Sequence, residues 1–375
     1  MSRPYTAGAT SPPEWIVMME DDFRRWGGDL RRGNLFQGLA RHTGAARING
    51  FSARKLRHFV GIGPWLLPVP MPDMLVSRRG RRPRLASSEQ LRPDMVRLAR
   101  RVVDPVAVAV YDDPIAQTAA LGITMAPERE FYFRRRRAAN LGTFRWLVVP
   151  SATFAELVGL DPDRVIVAGN GTDATHITPG PWPEQPTVGM VSGAAPGRGI
   201  EALIEASTEI RRRIPELRLD LWLVATGPAS EEYLESLKDR SRQDSWISVE
   251  SVPYRELAAA LARATVLTIP HPPSDYMDVA LPVKLYDSMA AGRPLVVTPR
   301  RETRAVVERY GTGVVAHDDS VAALAAALES LLVDESRTRT MGRAAREAAE
   351  RYFDWPVVGD RIASEILSRE GLAAG

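Results

Sequence analysis

The chain has 375 residues, 45% of them hydrophobic and 25% charged, and no cysteine. That length exceeds one ordinary core and points to two domains, while the missing thiols exclude disulfides and cysteine-ligated metals. The net charge of +3 is uneven, with 26 basic and 17 acidic residues in 1–175 against 23 and 29 in 176–375, and no apolar run approaches the roughly 18 residues of a membrane span.

Residues 1–13 are small and polar, lack the apolar core of a signal peptide, and read as the flexible tail of a cytoplasmic protein. EWIVMME then reads as a buried strand, DDFRRWGGD as a Gly-containing loop, and Leu30 to His42 as a helix. Segment 53–101 holds 12 basic residues against Asp73, Glu89 and Asp94. Within it lies an apolar, proline-rich stretch, Gly63 to Leu75, followed by Arg78, Arg79, Arg81 and Arg82. VDPVAVAVYDDP reads as a strand and its carboxyl end. Arg134 to Arg137 form a second basic run, and RWLVVPS and RVIVAGNG are two more strand-and-turn units. Strand and helix signals alternate again from PTVGMVSG through IEALIEASTEIRRRIP, LRLDLWLVATGP, EEYLESLKDRS, ELAAALARA, TVLTIPHP, LPVKLYDSMAAG, RPLVVTP, VAALAAALESLLVD and MGRAAREAAERYF. Such alternation is the mark of parallel α/β sheets. The expected architecture is two Rossmann-like domains facing across a cleft, 14–178 and 187–354. A Pro- and Gly-rich linker at 179–186 joins them, and a returning helix at 355–370 completes the first.

The basic segments read either as solvated surface or as a face for an anionic acceptor or an anionic membrane leaflet. No RNP, zinc-finger or helix-turn-helix signature accompanies them, so nucleic acid is not an expected partner. The five histidines show no ligand spacing, so no metal site is expected.

Open α/β sheets bind ligands at the carboxyl ends of their strands. One such end is Gly189-Met-Val-Ser-Gly193-Ala-Ala-Pro-Gly197-Arg198-Gly199. Its glycines let backbone amides approach phosphate oxygens at a helix start, and Arg198 adds fixed charge. The same pattern also serves as an ordinary strand-to-helix turn. A second is Pro282 to Pro294, where Lys284 and Asp287 stand three apart on a helix, either as a surface ion pair or as contacts for a diphosphate and ribose hydroxyls. Lys284 is one of three lysines beside 46 arginines, which favours the functional reading. His271, in IPHPP after a strand, is placed on the cleft rim. Asp112 and Asp113 end a first-half strand, either as an Asx turn before Pro114 or as groups that position acceptor or sugar hydroxyls.

Taken in order, Asn170-Gly171-Thr172-Asp173, Val188 to Gly199, Leu223 to Pro228, Val252-Pro253-Tyr254-Arg255-Glu256-Leu257 and Pro282 to Pro294 resemble the motifs of glycosyltransferase family 4, of the GT-B fold. These motifs cover about half of the chain. The resemblance implies a retaining, metal-independent transfer of a sugar from a nucleotide-diphosphate sugar, used as substrate and not as cofactor. The acceptor hydroxyl would belong to a glycan, a lipid-linked glycan or a natural product. It implies catalytic roles for Asp112, Asp113, Arg198 and Lys284. Donor contacts fall to Gly28, Gly193, Arg198, Gly199, Tyr254, His271, Asp278, Lys284, Leu285 and Asp287. The sequence departs from the motifs at Ser192, where many members have arginine. It departs again at Asp287 for the ribose-binding glutamate, and at Val279, eight residues earlier, for its partner glutamate, where neighbouring Asp278 would substitute. Two other readings share the fold: a degenerate GT-B protein that binds or regulates, and a nucleotide-sugar epimerase. With the apolar and basic stretch at 63–82, contact with a membrane edge is a further expectation.

Overall fold

The structure, a computed structural model, describes residues 15–19, 33–44, 46–49, 82–225 and 227–372, except for the side chains of Met19 and 46–49. Gly28 and the stretch 63–81 lie outside the described residues.

The first lobe contains β1 (Trp15–Met19), α1 (Gln37–Thr43), β2 (Ala46–Asn49), β3 (Arg84–Ser87), α2 (Pro93–Val102), β4 (Asp104–Ala109), α3 (Pro114–Ala120), α4 (Pro127–Leu141), β5 (Trp146–Val149), α5 (Ala152–Leu157) and β6 (Val165–Val167). Its strands form a parallel sheet in the order β2-β1-β3-β4-β5-β6. The helix expected over 30–42 is α1, which begins later and ends at Gly44 with φ 61°. Pro127 opens α4, and Ser151 opens α5 by accepting a 3.1 Å hydrogen bond from the Phe154 amide, each a standard start signal.

The second lobe runs β7 (Thr187–Gly193), α6 (Ile200–Arg211), β8 (Arg218–Val224), α7 (Pro228–Gln243), β9 (Ile247–Glu250), α8 (Leu257–Ala262), β10 (Val266–Ile269), α9 (Asp275–Val279), α10 (Val283–Ala290), β11 (Leu295–Val297), α11 (Arg301–Tyr310), β12 (Gly313–Val315), α12 (Val321–Leu332) and α13 (Glu335–Ala348). Its parallel sheet has the order β12-β11-β10-β7-β8-β9. Leu219, Leu221 and Leu223 of β8 enter one apolar layer with Leu203 and Ile204 of α6. Trp222, on the opposite face, joins a second layer with Leu285 and Met289 of α10. Sheet strands covered on both faces account for the nearly continuous apolar runs in the sequence.

The last helix, α14 (Trp355–Arg369), packs on the first lobe. Its Trp355, Val358, Ile362 and Ile366 are buried with Leu35, Leu39 and Val106. Gly38 of α1 and Gly359 of α14 permit this approach, since a Cβ at Gly38 would stand 2.2 Å from the Gly359 carbonyl carbon.

Among the described residues several contacts join the lobes, Thr153 donating to Glu302 being one. The turn at 170–173 is pinned by Asn170 donating to the Leu281 carbonyl and by Thr172 donating to Asp287 at 2.8 Å. The linker is gripped by Arg293, which lies 4.3 Å over the Trp182 ring and donates to the carbonyls of Pro181 at 2.6 Å and Ala262 at 2.8 Å. Finally, α9 inserts Tyr276, Met277 and Val279 among Phe154, Ala155, Ala116 and Ala120 of the first lobe. Val279 therefore stands in an apolar interlobe contact, which an ionised glutamate could enter only at a desolvation cost.

Candidate donor site

Four segments of the second lobe converge where its strands end. After β7 the chain turns through Gly193 to Gly199, with Gly197 at φ 77° and Gly199 at φ 80°. Both values favour glycine. Gly199 is also required by space, because a Cβ there would lie 1.8 Å from the Pro270 carbonyl oxygen. The glycine thus seats the loop directly on the strand exit that carries His271. No side chain caps the start of α6, so its first amides remain donors for an anion. On the other flank, Gly197 approaches the first lobe, its Cβ position 3.4 Å from Leu121 Cα.

Arg198 and Lys284 are brought together as the sequence suggested, and they are joined by His271 and Arg300. Lys284 Nζ is 3.4 Å from Ser192 Oγ. Burial, then the charge of Arg198, pushes the Lys284 ammonium down to about 7. Burial also lowers the Arg198 guanidinium from its usual value, with Tyr276 acting the other way, and its Nε has no partner. His271 is not on the rim: it is 1% exposed, and neither ring nitrogen finds a partner. Burial, then Lys284, Arg198 and Arg300, holds its imidazole well below the ordinary value. Arg300, which no motif singles out, also follows a strand, in LVVTPR. Arg300 is 4% exposed and pairs with Asp319 and, at 3.2 Å, with Asp278. Asp278 is thereby held at the edge of the cationic cluster.

Basic side chains and buried nitrogens without partners, Arg198 Nε, Arg300 Nε and both ring nitrogens of His271, are thus gathered at the strand ends of the second lobe. Buried donors without partners cost about 1–3 kcal/mol each, and like charges repel strongly where water is excluded. A diphosphate relieves both.

Asp287 and Tyr254 stand beside the cluster. Asp287 is buried, and burial, opposed by the Thr172 hydrogen bond and reinforced by Asp173, pushes its carboxyl up to about 7. The Tyr254 ring stacks on His176 at 4.9 Å, and its buried hydroxyl has no partner. Burial, then Asp287 and Asp173, raises that phenol above its ordinary range.

Two expectations need correction. Leu285 is fully buried in the core with Trp222 and Met289, and its amide donates to the Pro282 carbonyl at 3.0 Å. It supports α10 and offers nothing to a ligand. Asp113 caps α3, accepting from the Ile115 amide at 3.0 Å and the Ala116 amide at 3.3 Å, and pairs with Arg137. Its carboxylate is committed to structure, so the local Asx-turn reading describes it. Asp112 lines, with Asp113, a cavity of about 200 Å³.

Two parallel α/β lobes, with a buried basic cluster at the strand ends of the second, have the GT-B architecture. Residues 185–334 match the family model described as glycosyl transferases group 1. A GDP-mannose-dependent alpha-(1-6)-phosphatidylinositol monomannoside mannosyltransferase of Mycolicibacterium smegmatis is 30% identical over 63% of this chain and 60% of its own length. A glycogen synthase of Mycobacterium tuberculosis is 26% identical over 76% of this chain and 71% of its own. The chain thus spans less than two thirds of the mannosyltransferase it matches. Among solved structures, sucrose-phosphate synthase from Thermosynechococcus elongatus superposes with TM-score 0.68 at 15% identity, covering 96% of this chain and 100% of its own. Anabaena Alr3699/HepE in complex with UDP superposes with TM-score 0.68 at 14% identity, covering 94% and 100%. At those identities the likeness is one of fold.

Proposed function

We propose that this chain is a glycosyltransferase that transfers a hexose, with retention of anomeric configuration, from a nucleotide-diphosphate sugar to an acceptor hydroxyl. The observation that carries the reading is the Arg198, Lys284, His271 and Arg300 cluster under an uncapped helix start, facing the other lobe. The anomeric carbon–oxygen bond to the diphosphate breaks, and the electron pair leaves with the nucleotide diphosphate. Arg198, Lys284 and the loop amides bear that growing charge. The acceptor oxygen bonds to the anomeric carbon on the face just vacated, and its proton passes to the departing diphosphate. Tyr254 and Asp287 are assigned to the nucleoside, with Asp287 exchanging Thr172 for ribose hydroxyls. The site carries the reaction without a protein-bound metal in this proposal. Calorimetric titration with GDP-mannose and UDP-glucose tests it: micromolar binding of at least one is expected, and no binding of either overturns it.

The two groups near neutrality give the binding a pH signature. Lys284 stands low in the free protein and rises when a diphosphate arrives. The complex therefore holds an extra proton above pH 7, and affinity falls about tenfold per pH unit there. Asp287 stands high and must ionise to accept ribose hydroxyls, so affinity falls on the acid side as well. Titrations between about pH 5.5 and 9 should trace a maximum near 7. A flat profile would remove both groups from the site.

On the first lobe, α4 shows solvent the rings of Phe131, 66% exposed, and Tyr132, 39% exposed, beside Arg129 and Arg135. Ile123 is 50% exposed just ahead of the helix. No described helix is long and apolar enough to cross a membrane, but aromatic side chains among arginines suit the surface of an anionic leaflet. Sedimentation with phosphatidylglycerol vesicles should exceed that with phosphatidylcholine vesicles, and the excess should vanish in Phe131→Ser/Tyr132→Ser. Equal sedimentation with both lipids would refute it.

A further inference from the structure

The cavity on the first lobe sits at the carboxyl ends of β3 and β4. Its volume is about 200 Å³, and its lining includes Ser88, Glu89, Gln90, Asp112, Phe133 and Arg137. The loop that forms one wall is held by α4. Asn140 of α4 accepts from the Leu91 amide at 2.9 Å and donates to the Leu91 carbonyl at 2.7 Å. Arg136 donates to the Gln90 carbonyl through Nε at 2.7 Å. Such a wall is preorganised, since its ordering is achieved before any ligand arrives.

We infer that this cavity is the acceptor subsite and that it takes an uncharged polyol ring, a hexose or cyclitol with free hydroxyls, in preference to a phosphorylated one. The inference rests on the transferase reading for the word acceptor, but the ligand chemistry is argued from the cavity alone.

The first ground is Ser88. Its side chain is 3% exposed and its hydroxyl has no partner. A buried hydroxyl left unsatisfied carries the full cost of its desolvation, and a ligand hydroxyl in the cavity supplies the missing bond. The second ground is charge. Glu89, Asp112 and Asp113 bring three carboxylates to the lining, and Arg136 and Arg137 bring two guanidinium groups. Both arginines are engaged: Arg137 with Asp113, Arg136 with the Gln90 carbonyl and, at 3.9 Å, with Glu89. Among the described residues the lining is thus net negative, and both of its arginines are already engaged. Carboxylates paired in this way still accept further hydrogen bonds, which is how polyols are held. The third ground is Phe133, whose ring offers an apolar wall for the C–H face of a sugar.

The basic run at 134–137, read either as solvated surface or as a face for an anionic acceptor or leaflet, has three of its four members engaged within the lobe. Arg134 is spent on Glu130 at 2.6 Å, and Arg136 and Arg137 are spent on the cavity wall. Placement agrees with an acceptor role. Helix α3 begins at Asp113 on the cavity and ends beside the Gly197 loop of the donor site, a span of about 10 Å for seven residues.

The test is calorimetry or saturation-transfer NMR on the full chain. The probes are methyl α-D-mannopyranoside, methyl α-D-glucopyranoside, myo-inositol, mannose 6-phosphate and glucose 6-phosphate. GDP-mannose and UDP-glucose binding is followed in parallel. At least one neutral ring should bind at least tenfold more tightly than its phosphorylated counterpart. Ser88→Ala and Glu89→Gln should each weaken it at least fivefold while donor affinity stays within twofold. Thermal unfolding separates a folded variant from a collapsed one, and Ser88→Thr, which keeps the hydroxyl, should retain more binding than Ser88→Ala. Tighter binding of a phosphorylated ring, no binding of any neutral ring, or neutral-ring binding unchanged in both variants would overturn the inference. Neutral-ring binding without donor binding would leave the polyol site standing and remove the transferase reading instead.

Discussion

Replacing Lys284 or Arg198 by alanine is expected to weaken nucleotide-diphosphate sugar binding by about 30- to 1000-fold, equivalent to about 2–4 kcal/mol. Each side chain faces a ligand charge in a site from which water is largely excluded, so truncation leaves part of the diphosphate desolvated and unmatched. The same substitutions should not weaken the folded protein in proportion. Lys284 sits low because burial and Arg198 disfavour its charged form. Its folded value lies below its unfolded one, so the protonated lysine burdens the fold below pH 7, and the burden lifts as pH rises from 7 toward the unfolded value. Lys284→Met should therefore raise the melting temperature of the free protein at pH 6 while abolishing the ligand-induced stabilisation. Differential scanning calorimetry with and without GDP-mannose and UDP-glucose makes the comparison. A variant that melts lower and binds as before would show that Lys284 belongs to the scaffold. Asp287 follows the opposite sign. Its folded value lies above the unfolded one, so its burden grows as pH rises from about 4 to 7, and the free protein carries both burdens near neutrality. A site that strains its own fold until the ligand arrives is a familiar trade of stability for activity.

Gly199→Ala should cost about 30- to 1000-fold in donor affinity, whereas Gly193→Ala in the same motif should change it less than threefold. The two glycines read alike along the chain, but their surroundings differ. A Cβ at Gly199 would stand 1.8 Å from the Pro270 carbonyl oxygen, at a φ of 80°. The nearest atom to a Cβ at Gly193 is the Val224 carbonyl oxygen at 3.9 Å, an ordinary contact. Accommodating the methyl at Gly199 requires the loop to lift from the strand exit. That moves Arg198 and the first amides of α6 off the position where His271 and Lys284 meet them. The strained backbone and the overpacking together cost about 2–4 kcal/mol. Equal affinities for the two variants in a calorimetric titration would mean that the loop does not hold the phosphates.

Two departures from the family motifs acquire physical meaning. The shortened carboxylate of Asp287 is met by Thr172 from the interlobe turn. A ligand that takes Asp287 therefore also loosens a contact between the lobes. Val279, where the motif has a glutamate, is 7% exposed in the apolar seam that α9 makes with the first lobe. The position has become packing. Asp278, the neighbour suggested as a substitute, is held beside the basic cluster by Arg300.

What the sequence by itself determined is local and periodic. The alternation of apolar runs and helical patterns announced two parallel sheets, because a strand covered on both faces must be apolar along its length. It located the glycine-rich turn at Gly193 to Gly199, the position of Lys284 and the returning C-terminal segment. Short strands such as β3, β9 and β12, of three or four residues, escaped notice because so few positions carry no period. Only the tertiary structure decided the rest. That Arg300 joins Arg198 and Lys284, that His271 lies beneath the loop and not on the rim, and that Arg137 is consumed by Asp113 all depend on which strand ends the crossovers bring together. Charge and desolvation act through space across a few ångströms, whatever the separation along the chain. A run of arginines therefore reads the same whether its partners are solvent, phosphate or a carboxylate from another helix.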